Sequence, residues 1–209
     1  VLTLAITVVG HAQQADDFVL RSGAEPGDVL VLTGELGGAG AGRLLLDRPE
    51  LGADLTEATA AGLRDRQLAP TPRLRSGQSL AAAGATAMID LSDGLAGDAR
   101  HLAHASCVGL RIEAGSLPLA RGVAELAAAA GKDPLQMAVS AGEDYELLAA
   151  LPPDRLDEAF GRMADEGETT LTTIGEVVAG EGVELRLPEG GLLESQGYDH
   201  FEERSSGAP

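Results

Sequence analysis

The sequence predicts a mixed α and β fold without the regular strand-helix alternation of a doubly wound nucleotide-binding domain. Short apolar, β-branched runs bounded by turn residues mark strands at 29–33, 87–90, 108–112 and 145–151. Between them lie Ala- and Leu-rich stretches with helical spacing, notably 55–66, 93–106 and 120–130. The two kinds of segment follow one another in irregular order, and no internal repeat is present.

Taken in order, residues 2–9 alternate and are rich in Thr, Val and Ile, which suits a strand. Residues 10–17 are a polar connector. Glu25-Pro26-Gly27-Asp28 is a strong turn signal and opens the continuous apolar run 29–33, a strand of the buried kind. The glycine-rich stretch 34–42 leads into a helical body at 43–46, and Pro70 and Pro72 end the helix over 55–66. Residues 77–83 read as a short helix and 87–90 as a short buried strand. Ser92 is placed to cap a helix over 93–106 by accepting from free first-turn amides. Gly131 ends the helix over 120–130, and Pro152-Pro153 stop the strand over 145–151. Asp154 is placed to cap a helix reaching 163, and 170–178 and 183–187 read as late strands. Residues 202–209 read as a disordered tail.

Composition narrows the function classes. The chain has 209 residues, enough for roughly one to one and a half domains. Its 33 acidic against 15 basic residues give a net charge of −18, which repels phosphate backbones and anionic lipid. Nucleic acid and membrane surfaces are therefore poor partners, and an anionic substrate would need a bridging cation or a placed arginine. The single cysteine, Cys107, excludes an intramolecular disulfide framework and any multi-cysteine metal site. With 2% aromatic residues and no Trp, a base-stacking platform is not expected. No apolar run is long enough to span a bilayer, and cytoplasm is the expected compartment.

Four motifs carry chemistry. The turn from Thr33 to Arg43 is glycine-rich and sits between a strand and a helix, where backbone amides could cradle phosphate. Arg43-Leu44 stands where a P-loop needs Lys-Ser/Thr, so a P-loop is excluded and a plain turn competes with a looser phosphate role. In Met88-Ile89-Asp90-Leu91-Ser92-Asp93-Gly94-Leu95, a short strand delivers two carboxylates and a hydroxyl to the start of a helix. Carboxylates there are hard oxygen ligands suited to Mg²⁺, while Ser92 and Asp93 could equally serve as helix caps. Ala141-Gly142-Glu143-Asp144-Tyr145-Glu146-Leu147 gathers three acids at one turn, either a solvated turn or a partner for a cationic ligand. Arg21 at the Ser22-Gly23 connector is either a phosphate clamp or one member of an ion pair. His101, His104 and Cys107 recur at three-residue spacing, which reads as helix surface and packing, with Cys107 a buried small hydrophobe.

Arg21-Ser22-Gly23-Ala24, Pro26-Gly27-Asp28, Thr33-Gly34 with Leu36-Gly37, Ile89-Asp90-Leu91-Ser92-Asp93-Gly94-Leu95, Gly142-Glu143-Asp144-Tyr145-Glu146-Leu147, Ile174-Gly175 and the terminal Gly197-Tyr198-Asp199-His200-Phe201 occur in this order. Together they resemble the thiamine-monophosphate kinases, of the superfamily typified by aminoimidazole ribonucleotide synthetase. The resemblance covers essentially the whole chain.

It implies an α+β fold, a mixed sheet covered by helices, and ATP-dependent phosphorylation of thiamine phosphate to thiamine diphosphate with Mg²⁺. The phosphoryl group passes directly to a substrate phosphate oxygen, so no residue of the chain is a covalent catalyst. Asp90 and Asp93 match magnesium ligands, Ser92 and Arg21 nucleotide contacts, and Glu143 a contact to the cationic thiamine. Tyr198, with Phe201 second, matches an aromatic residue packed on the substrate. The resemblance further implies that residues 1–24 are the last strand and linker of an N-terminal ATP-binding domain, and 25–201 the C-terminal domain. The family's Gly-Asp-Asp motif and further aspartates are not found, and Glu35 and Gly38-Ala39-Gly40 replace polar residues of the glycine turn. The expectation is a fragment, weakly active or inactive alone, from an enzyme whose full-length form is a homodimer. Two other readings stay open: a sister ATP-dependent synthetase of the same fold, and a non-catalytic binding module.

Overall fold

Alternation along the strands decides the layering. In β1 (Val29–Thr33), Leu30 and Leu32 face one side of the sheet and Val31 the other, all fully buried. The computed structural model describes residues 3–11 and 18–194. Within them five further strands follow: β2 (Ala87–Asp90), β3 (Gly109–Glu113), β4 (Leu147–Leu151), β5 (Leu171–Val178) and β6 (Gly182–Arg186). They form one sheet in the order β2-β4-β1-β5-β3-β6. Every pairing is antiparallel except β3 with β6, so the sheet is mixed, as expected.

Each face of the sheet is covered. On one side, α4 (Leu95–Ser106) buries Leu95, Ala99 and Leu102 against Leu30, Leu32, Leu148 and Ala150. On the other, α3 (Leu74–Ala82) and α7 (Leu156–Glu166) bring Leu80, Ala159 and Met163 against Val31, Ala149 and Leu151. Each fully buried Leu contributes about 1.5–3 kcal/mol of transfer free energy. A third cluster forms where α1 (Gly38–Asp47), α2 (Glu57–Leu68), α5 (Val123–Ala129) and α6 (Pro134–Ser140) pack together, around Leu45, Leu63, Val123, Leu126 and Met137. Among the described residues, no helix is long and apolar enough to cross a membrane.

Several elements differ from the sequence expectation. The strand predicted over 2–9 does not form in its described part, where Leu4, Ile6, Val8 and Val9 are exposed. A strand exists through ladder bonds to a neighbour, and this segment has none among the described residues. α1 starts inside the glycine-rich stretch, five residues before the expected helical body. α4 starts at Leu95 with Gly94 (φ 93°) as N-cap and no side-chain cap, so Ser92 does not cap it. Asp154 lies in a 3-10 turn, Pro153–Arg155, and does not cap α7. Cys107 is exposed, because it takes the left-handed position that terminates α4. α6 is an unexpected helix, although Asp133 caps it by accepting from the Gln136 amide and Pro134 occupies its first turn. The predicted tail, 202–209, lies outside the described residues.

The glycines of α1 let two helices touch. A Cβ on Gly42 would come within 2.0 Å of the Leu63 carbonyl oxygen, a backbone atom of α2 that cannot step aside. Gly62, in α2, has open space around its Cα. Gly42→Ala is therefore expected to destabilise the chain by about 1–3 kcal/mol or more. Gly62→Ala is expected to stabilise it by about 0.5–1 kcal/mol. Urea unfolding of the two variants should show midpoint shifts of opposite sign, and shifts of the same sign would contradict this packing.

Candidate functional site

The strand edge of β2 places the first part of the site. The Met88 amide donates to the Leu20 carbonyl (2.8 Å), so the connector lies along this edge. Gly23, at φ 116°, lets the connector pass Thr86, whose carbonyl oxygen a Cβ would meet at 2.7 Å. The Ser106 hydroxyl at the end of α4 accepts from the Ala24 amide (3.2 Å) and donates to the Arg21 carbonyl (3.4 Å). These contacts hold Arg21 at the rim of an open cavity of about 550 Å³. Asp90, Ser92 and Asp93 also line it, so four of the six residues singled out in the sequence share one space.

Asp98 and His101, one turn apart on α4, line the same cavity; Asp98 was not singled out in the sequence, and His101 was read there as helix surface and packing. Asp98 is 3% exposed and accepts from the Asp93 amide (2.9 Å). It thereby fixes the loop that carries Ser92 and Asp93, in the manner of the reaching-back half of a capping box. Burial pushes its carboxyl up to about 6, the Asp93 and Ser92 amides pull it down, and the charges of Asp93 and Asp90 push it up again. The signal in the sequence was a lone acid among Leu95, Ala96, Ala99 and Leu102 on the buried face of a helix.

The acidic turn lies directly beside this loop. The Leu91 amide donates to Glu146 O (2.8 Å), the Tyr145 amide to Leu91 O (3.0 Å) and the Glu143 amide to Ser92 O (2.9 Å). These bonds continue the β2·β4 pairing past its last partners, Asp90 and Leu147. Gly142 has to be glycine, since a Cβ would lie 2.2 Å from the Ser92 carbonyl oxygen. The sequence expected a strand from residue 145. In the structure β4 starts at Leu147, because Glu143 and Tyr145 take left-handed backbone angles (φ 70° and 50°) that no strand accommodates.

Two of the three acids point inward as anchors. Asp144 accepts from the Gly37 amide (2.7 Å) and the Ala39 amide (3.0 Å) at the start of α1. Its carboxylate occupies the helix N-terminus that was a candidate phosphate cradle, so the glycine-rich turn binds a group of its own chain instead. Loss of water around the Asp144 carboxyl pushes it up to about 6, outweighing the downward pull of the two amides and of Arg66. Glu146 is 1% exposed. It accepts from the Thr33 hydroxyl (2.7 Å) and from both Nε (2.7 Å) and Nη2 (2.6 Å) of Arg73, while the Leu147 amide donates back to Thr33 Oγ1 (2.8 Å). The bond to Glu146 holds the Arg73 guanidinium above its ordinary range, against the opposing effect of burial.

Glu143 alone of the three faces out. Its Oε2 accepts from the side-chain amide of Gln67, at the end of α2. Tyr198 and its alternative Phe201 lie outside the described residues.

The donor set suits Mg²⁺, which typically takes one or two carboxylates and completes its shell with water and substrate phosphates. Asp90, Asp93 and the Ser92 hydroxyl are hard oxygen donors on one cavity. Among the described residues, no group of three or more His, Cys, Asp or Glu side chains could hold a metal ion alone.

Residues 25–188 match the family described as AIR synthase related protein, C-terminal domain. The thiamine-monophosphate kinase of Halobacterium salinarum is 40% identical over 201 residues, covering 95% of this chain and 60% of that protein. The crystal structure of thiamine-monophosphate kinase from Stenotrophomonas maltophilia superposes with a TM-score of 0.72 at 33% identity, covering 84% of this chain and 54% of that one. A structure described as AaThiL complexed with AMPPCP and TMP gives a TM-score of 0.72 at 35% identity, covering 88% and 54%. The chain therefore spans a little over half the length of the relatives it matches.

Asp144 gives the fold a testable pH dependence. An unfolded aspartate releases its proton near pH 4, whereas in the fold Asp144 holds it to about 6. The folded state binds more protons between these values, so this contribution is full below about pH 4 and is lost as pH rises through about 6. Asp144→Asn removes it. Urea midpoints of the variant between pH 4 and 7 are expected to fall less steeply than those of the parent; equal slopes would contradict the assignment.

Proposed function

The chain belongs to the family of the AIR synthase related protein, C-terminal domain, and from that premise we propose that it serves the ATP-dependent phosphorylation of thiamine phosphate to thiamine diphosphate. Turnover is proposed for a protein of the relatives' full length that contains this chain. The observation that carries the reading is the backbone ladder between Leu91-Ser92 and Glu143-Tyr145-Glu146. It seats a candidate phosphate and metal loop against a candidate cation-binding carboxylate, as a donor and acceptor pair would require. The relatives' names and the complex with AMPPCP and TMP support the same pair of substrates.

In the proposed reaction an oxygen of thiamine phosphate attacks the γ-phosphorus of ATP. A new O–P bond forms, the bond to the bridging oxygen breaks, and ADP leaves. Mg²⁺ held by Asp90 and Asp93 would neutralise charge on the transferring group. Arg21 presents a guanidinium fork to the nucleotide phosphates, and Ser92 donates its hydroxyl to them. Asp98 keeps this loop in place through the Asp93 amide. Glu143 offers its carboxylate to the positive thiazolium, and Tyr198, with Phe201 second, is the aromatic residue proposed as the acceptor's contact. The chain's residues bind and orient both phosphates, and none is asked to form a covalent bond.

The test is a thiamine diphosphate assay in the full-length context. Asp90→Asn is expected to lower kcat by at least ~100-fold with the fold intact by circular dichroism. Near-normal turnover in that variant would remove the metal assignment. Glu143→Gln is expected to raise KM for thiamine phosphate by ~10-fold while KM for ATP stays put. An equal rise in both would contradict the acceptor role. Phosphorylation of a purine-pathway precursor rather than thiamine phosphate would favour the sister synthetase.

A further inference from the structure

The loop 142–146 holds two non-glycine residues in left-handed conformations, and both carry exposed side chains, Glu143 and Tyr145 (37% exposed). Such angles are disfavoured for any residue with a Cβ, most of all a bulky one, and persist only where surrounding contacts over-determine them. The alternate residues, Asp144 and Glu146, are the anchors described above. A segment distant in sequence completes the arrangement. Gln67 lies in the last turn of α2, Arg73 precedes α3, and Pro70 and Pro72 stiffen the turn between them. From its two ends this turn grips two acids of the loop, Gln67 to Glu143 and Arg73 to Glu146.

We propose that Gln67 and Arg73 are positioning residues that brace the 142–146 loop and aim the Glu143 carboxylate at a cationic acceptor. The two donors differ in charge, and this sets the outcome. Arg73 spends its charge on Glu146 as a bidentate pair whose partners are 16% and 1% exposed. Gln67 is neutral, so it fixes the Glu143 carboxylate without cancelling its charge. The brace leaves one full negative charge, oriented and facing out. An Arg or Lys at position 67 would orient Glu143 equally well and forfeit its attraction for a cation. The acceptor half of the proposal rests on the reading of Glu143 given under Proposed function; the bracing half does not.

The experiment has two arms. The chain has no Trp and two tyrosines, Tyr145 and Tyr198. In a Tyr198→Phe background, Tyr145 fluorescence therefore reports the loop alone, without ligand. Gln67→Ala and Arg73→Lys are expected to raise acrylamide quenching of Tyr145 and lower its anisotropy, with thermal midpoints near the parent's for Gln67→Ala. Arg73→Lys keeps the charge and loses the planar fork, which avoids the buried unpaired Glu146 that Arg73→Ala would leave. Unchanged quenching and anisotropy in both variants would overturn the brace.

In the second arm, thiamine phosphate and a non-hydrolysable Mg-ATP analogue are titrated calorimetrically into a parent of the relatives' full length that contains this chain, and into its Gln67→Ala and Gln67→Glu variants. Gln67→Ala is expected to weaken thiamine phosphate by ~10-fold and leave the nucleotide within about twofold. Gln67→Glu should be worse still, because the new carboxylate repels Glu143. A parent that binds thiamine phosphate and variants that bind it equally would overturn the positioning role. A parent that ignores thiamine phosphate would overturn the reading of Glu143 itself, while the Tyr145 arm decides the brace separately.

Discussion

The arrangement of the site depends on three backbone hydrogen bonds that carry the β2·β4 pairing beyond its regular strands, through Leu91, Ser92, Glu143, Tyr145 and Glu146. Main-chain groups have fixed reach, so this ladder determines the separation of the two loops more tightly than side chains could. Everything chemically distinctive hangs from it. On one side are Asp90, Ser92 and Asp93, and on the other Glu143. The side-chain anchors serve the ladder: Asp98 steadies one strand of it, and Asp144, Glu146 and Arg73 steady the other.

The fold was legible where local sequence decided the outcome. β1 and β2 are short, largely apolar runs between turn residues, and the two faces of β1 follow from alternation. The helix over 57–68 declared itself by composition and by the prolines beyond it. The start of α1 was not legible, because glycines 38, 40 and 42 read as a flexible turn. Their use is tertiary: each lets the helix approach something, and Gly42 approaches the α2 backbone. α6 carried the local cue Asp133-Pro134, which its short, partly polar body obscured. The described part of the alternating segment, residues 3–9, illustrates the converse. Strand propensity alone makes no strand without a partner edge.

The motif residues of the candidate site stood out in the sequence, and its supports did not. Arg21, Asp90, Ser92 and Asp93 meet around one cavity. Asp144 and Glu146, read as part of a charged turn, are instead structural acids satisfied by amides, a hydroxyl and a guanidinium. Gln67 and Arg73 act across 76 and 73 residues of chain, and nothing local distinguishes them from surface residues. A residue whose task is to hold another has no chemistry of its own to advertise.

The connector that carries Arg21 has a second effect, through the hydrogen bond from the Met88 amide to the Leu20 carbonyl. β2 is the last strand on its side of the sheet, and an open edge strand is a template on which another molecule can pair. By lying along that edge, residues 19–21 shield it from intermolecular β-sheet growth. The segment that brings Arg21 to the cavity thus also covers a sheet edge that would otherwise be open to intermolecular pairing, so damage to it would disturb the cavity rim and expose that edge together.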